Sequence, residues 1–95
     1  LYTVHYRNRG LGVASNLIIA DTIPIFTTYV TGSLRIGNAA STYATATPLT
    51  DAADTDAGQF SGTGVIFTIT TVAADDGVAN AGSDEGKVYF KVRID

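Results

Sequence analysis

The chain has 95 residues, with 6 basic and 9 acidic side chains for a net charge of −3, one histidine and no cysteine. Lack of cysteine removes disulfides and thiolate metal sites, and a single histidine removes a multi-histidine zinc or copper centre within one chain. No basic patch exists to neutralise nucleic-acid phosphates.

Fourteen threonines and 10 glycines, with 16% charged residues, give a β-rich composition, because β-branched threonine suits a half-buried pleated surface. The length fits one domain, residues 1–95, with one modest core. No apolar run approaches the ~20 residues that a membrane-spanning helix needs. The opening Leu1 already lies in a strand pattern, so the segment reads as part of a longer secreted precursor.

In chain order, Leu1 to Arg7 alternates, with Tyr2, Val4 and Tyr6 on one face and Thr3, His5 and Arg7 on the other, the period of a strand with one buried side. Asn8 to Gly12 breaks it with turn residues, and Asn8 suits a left-handed turn position. Val13 to Ala20 predicts a second strand, with Leu17 and Ile19 alternating against Ile18, and Pro24 ends it. Phe26 to Ile36 predicts a third extended stretch, weakened by Gly32, before a turn at Gly37 and Asn38.

Thr42 to Leu49 predicts a short edge strand carrying Tyr43, and 51–58 a polar loop. The clearest strand is Val65 to Val72, with Val65, Phe67 and Ile69 facing one way and Ile66, Thr68 and Thr70 the other. A long loop, 73–86, precedes the closing strand, Lys87 to Asp95. There Val88, Phe90, Val92 and Ile94 share one face, and Tyr89, Lys91 and Arg93 turn outward. No stretch sustains a helical period. About seven short strands in this length predict an all-β, Ig-like antiparallel β-sandwich, with a small closed barrel as the competing architecture.

Five segments carry a family resemblance. Tyr2, Thr3, Asn8 and Gly10 stand as in "YT-x-x-x-x-N-x-G"; Asn16 to Pro24 follows "N-apolar-x-apolar-x-D-x-L-P"; Tyr29 to Ser33 follows "Y-V-x-G-S"; Leu49 to Phe60 follows "L-T-D-A-A-D-x-D-A-G-x-F"; and Val88 to Ile94 matches a closing strand. Together they resemble the surface-protein repeat catalogued as domain of unknown function eleven. That resemblance implies Ig-like repeats of prokaryotic cell-surface or extracellular proteins, structural or adhesive roles, and no enzyme activity. Two departures stand out: Ile25, where the family often has a small residue, and the length of the 73–86 loop, a candidate contact with a neighbouring subunit.

Asp51, Asp54 and Asp56 place three carboxylates within six residues, a spacing that can wrap one hard cation such as Ca2+, although it does not fit an EF-hand. The other reading is a solvated turn in which Asp51 or Asp54 accepts from backbone N–H groups. Asp75, Asp76, Asp84 and Glu85 form a second acidic group on a glycine-bearing loop. Asn8 and Asp21 read as architectural turn residues. His5, Ser33 and Ser61 lack the setting of a nucleophile and its base.

The sequence therefore predicts a structural module of an extracellular filament or surface array, a homopolymer whose copies meet through β contacts. The edge most available for those contacts is Thr42 to Leu49 or the terminal strands. Ile18, Ile66 and Tyr89 are expected on outer faces. A spacer repeat of an adhesin stalk and a loop-based binding module, using the loops around Asp54 and Asp76, are the alternatives.

Overall fold

The computed structural model describes residues 1–52, 57–75, 77, 82 and 84–95. Among them the protein is all-β, without a helix. The strands are β1 (Tyr2–Arg7), β2 (Ala14–Thr22), β3 (Thr27–Tyr29), β4 (Arg35–Gly37), β5 (Thr47–Pro48), β6 (Gly58–Phe60), β7 (Gly64–Val72), β8 (Glu85–Phe90) and β9 (Val92–Ile94). They form antiparallel sheets in the orders β1-β8-β4-β5, β2-β7-β6 and β3-β9.

The alternation read from the sequence explains the core. β7 buries Val65, Phe67 and Ile69 and exposes Thr68 and Thr70. β8 contributes Val88 and Phe90, and Tyr29, Leu34 and Val72 complete the cluster, with Val4, Tyr6, Leu17 and Ile19 packed against it. Each fully buried large side chain is worth roughly 1.5–3 kcal/mol of transfer free energy. Tyr2 stacks on Phe90 with ring centroids 5.0 Å apart, and Tyr29 on Phe60 at 4.2 Å. Ile18, on the opposite face of β2 from Leu17 and Ile19, is 63% exposed.

Several expectations are corrected. The stretch from Phe26 to Ile36 divides into β3 and β4 around a turn in which Gly32 has φ +78° and Ser33 N–H donates to the Val30 carbonyl. Thr42 to Leu49 is not a strand along its length. Residues 42–46 are a tight turn, with the N–H groups of Thr45 and Ala46 both donating to the Thr42 carbonyl, and only Thr47–Pro48 pairs, as β5. Gly58 to Phe60, unrecognised in the sequence, forms a strand on β7. A side chain at Gly58 would collide with Leu49 and Leu34, so a glycine lets the strand lie against them. The closing segment begins at Glu85 and breaks at Lys91, before which it pairs with β1 and β4 and after which it pairs with β3. At the break Lys91 N–H donates to Ser33 Oγ at 3.0 Å.

Outward assignments on that last segment also change. Tyr89 is 2% exposed, covered by the 38–46 turn: its hydroxyl donates to the Ser41 carbonyl at 2.9 Å and meets Ser41 Oγ at 2.9 Å. Lys87 and Lys91 are half-buried rather than solvent-facing. Lys91 Nζ and the Arg35 guanidinium each lie 4.2 Å from the Tyr43 ring centroid. Tyr43 thus satisfies two cations against a π-face, and its edge meets Tyr89.

Candidate functional site

Of the candidate calcium ligands, Asp54 and Asp56 lie outside the described residues. Asp51 has both carboxylate oxygens engaged: Oδ1 accepts from the Tyr29 hydroxyl at 2.6 Å and Oδ2 from the Gly32 N–H at 2.9 Å. Burial and this carboxylate push the Tyr29 hydroxyl up to about 12. Asp51 therefore ties its loop to the turn between β3 and β4. Among the described residues no group of three metal-ligating side chains converges.

In the second acidic group, Asp76 lies outside the described residues, while Asp75 and Glu85 both face the Arg7 guanidinium. Asp84 and Glu85 are buried at the start of β8. Because β1 pairs with β8 in the register Arg7↔Glu85 and His5↔Lys87, His5 and Arg7 flank the Glu85 carboxylate. His5 Nε2 is hydrogen-bonded to Glu85 Oε1 at 2.8 Å, and Arg7 Nε stands 3.8 Å from Oε2. Asp75 accepts from Arg7 at 3.3 Å and from the Gly77 N–H at 3.0 Å. Chiefly that backbone donor, with Arg7 adding attraction, holds the Asp75 carboxyl below its usual range. His5 does face outward as expected, yet it is the partner of a buried carboxylate. Sequence reading missed this, because the pairing depends on the β1–β8 register.

Asn8 acts architecturally, but not as a left-handed residue; among the described residues the positive-φ positions outside glycine are Asn16 and Phe26. The Asn8 amide donates to the carbonyls of Gly12 at 2.7 Å and Ala73 at 3.1 Å, while its own oxygen accepts from the Gly10 N–H at 2.9 Å. It pins the β1–β2 turn to the end of β7. Asp21 sits exposed within the β2 ladder opposite Val65 rather than capping the turn at Pro24. Beyond it, Ile25 and Phe26 stand 80% and 76% exposed at a turn closed by Thr27 N–H to the Pro24 carbonyl.

The feature with the clearest capacity for recognition is a pair of open strand edges. Among the described residues β1 pairs on one side only, with β8, and β2 on one side only, with β7. Tyr6 and Arg7 of β1 and Ala14 and Leu17 of β2 line one mainly apolar cavity of about 450 Å³, so both edges flank the same opening. An edge strand presents backbone donors and acceptors that an added strand can satisfy. By contrast β5, at the other end of the β1 sheet, is two residues long and includes Pro48, which blunts it. The Thr42 to Leu49 edge is thus a poor template for strand addition.

No family model matches the chain, and no curated protein or solved structure matches it either.

Proposed function

We propose that this protein is an Ig-like β-sandwich module of a prokaryotic cell-surface or extracellular filament or array, non-catalytic, whose copies associate through strand edges. Support for the sandwich comes from the core, in which Val65, Phe67 and Ile69 of the β2-β7-β6 sheet and Val88 and Phe90 of the β1-β8-β4-β5 sheet belong to one cluster. Support for the extracellular, structural assignment comes from the resemblance of five ordered segments to the surface-protein repeat. The single observation that carries assembly is the pair of open edges on β1 and β2 flanking one apolar cavity. An apolar cavity lined by half-buried Tyr6, Ala14 and Leu17, with ladder edges left open among the described residues, favours strand addition over an isolated monomer.

The test is the assembly state. Sedimentation and electron microscopy of the purified protein across a concentration series are expected to show association growing into ordered polymers. A monodisperse monomer at high concentration would overturn this reading and leave the spacer of a surface stalk in its place.

A further inference from the structure

β2 is nine residues long and, among the described residues, hydrogen-bonded on the β7 side alone. It contains no lysine, arginine or proline, and its one charged residue, Asp21, stands next to its end. Those are the devices that normally keep an edge from pairing, and β1 by comparison carries His5 and Arg7. The open side of a strand asks for a partner with alternating N–H and C=O groups, which is another strand. β2 is also complementary to itself. Antiparallel pairing about Ile18 sets Ile18 opposite its own copy, Leu17 opposite Ile19, Asn16 opposite Ala20 and Ser15 opposite Asp21.

The neighbouring registers are worse. Centred on Leu17, Ile19 faces Ser15; centred on Ile19, Asp21 faces Leu17. The Ile18 register alone combines apolar against apolar at the three central positions with Asp21 set against a hydroxyl rather than an apolar side chain, the kinds of cross-strand pair that stabilise a sheet. Asn16, with φ +54°, falls opposite the small Ala20, which leaves room for its bent backbone.

We propose that β2 pairs antiparallel with β2 of a second copy, centred on Ile18, so that the β2-β7-β6 sheet continues across two molecules. This rests on the reading above that the module associates with itself, and names the surface. Ile18, 63% exposed on the outer face, then packs on its counterpart. Ile19 of the second copy lies beside Leu17, which lines the apolar cavity. Such a contact is isologous, so it joins copies in pairs, and a polymer needs a different contact in addition.

The absence of native cysteine makes the test direct. Residues opposite one another in antiparallel strands have Cβ atoms about 4.5–5.5 Å apart, near disulfide range. Under mild oxidation Ile18→Cys is expected to give a covalent dimer. Thr68→Cys, exposed on β7 directly across from Ile18 but one strand further from the contact, is expected to associate like the unmodified protein yet give no covalent dimer at the same concentration. Ile18→Lys, which sets two ammonium groups opposite each other, is expected to weaken association by about tenfold or more while leaving the fold's circular dichroism unchanged.

Sedimentation of the unmodified protein separates the two claims. Association without an Ile18→Cys dimer, or equal cross-linking by Thr68→Cys, overturns this pairing and leaves self-assembly standing. A monomer at every concentration, with no covalent dimer, overturns both.

Discussion

The two faces of β8 are both buried, yet they are built from different materials. On one side Val88 and Phe90 join Phe67, Val65 and Leu34 in an apolar cluster. On the other, Tyr89 lies under the 38–46 turn, tied to Ser41 and bordered by Tyr43, whose ring holds Arg35 and Lys91. The apolar face is stabilised by area and packing. The aromatic-polar face depends on hydrogen bonds and cation–π contacts, which exchange favourably with water only to a small extent. Equal burial therefore does not mean equal contribution to stability.

The comparison can be broken most directly at its apolar side. Phe90→Ala leaves a cavity in the cluster and is expected to cost about 3–5 kcal/mol in a denaturant titration. Gly86→Ala comes next. A Cβ there would meet the Tyr6 hydroxyl at 2.5 Å, its ring carbon Cζ at 2.7 Å and the Gly37 carbonyl at 2.9 Å, and the overpacking is expected to cost about 1–3 kcal/mol. On the aromatic-polar side, Tyr89→Phe removes one hydroxyl and is expected to cost about 1 kcal/mol in the same titration. A loss as large as that of Phe90→Ala would show that the turn over Tyr89, rather than the apolar cluster, holds β8 in place.

The smallest effect is on pH dependence and concerns the core's own polar contact. The Tyr29 hydroxyl titrates at about 12 in the folded protein, against 10.0 for an ordinary tyrosine. The folded state holds this proton more tightly than the unfolded chain. Its contribution is therefore complete below pH ~10 and is lost as pH rises through about 12. An ultraviolet titration should show Tyr29 ionising late, with Tyr6 also shifted upward by burial. Asp51→Asn, which removes the negative charge adjacent to Tyr29, should bring the Tyr29 ionisation to lower pH. An unchanged titration in Asp51→Asn would remove the 2.6 Å contact from the account.

The same two faces show what was legible in the sequence. Period-two alternation identified Val88 and Phe90 as sharing a side, and likewise Val65, Phe67 and Ile69, because a pleated strand sends neighbours in opposite directions. It could not tell that Tyr89 is covered. The cover is an irregular turn with no periodicity of its own, held by Asn38, Ser41 and Thr42. β6 was missed for a related reason, since Gly58-Gln59-Phe60 is too short to show a period, and glycine argues against a strand unless its close packing is known. Asn8 was recognised as architectural, but its role as an amide staple between the first turn and Ala73 joins residues far apart in the chain, and no local pattern encodes it. The open edge of β2 was likewise invisible, because strand order, not strand sequence, decides which ladder ends unpaired.

Ser33 has one more consequence. Its hydroxyl receives the Lys91 N–H where the closing segment leaves one sheet partner for another, so one side chain does the work of a missing ladder rung. The chain's last stretch is thereby two short cooperative units in series, joined at a splice. Local opening of Val92–Ile94 can stop at that serine, leaving the amides of Val88 and Phe90 slow to exchange with solvent while those beyond it exchange fast.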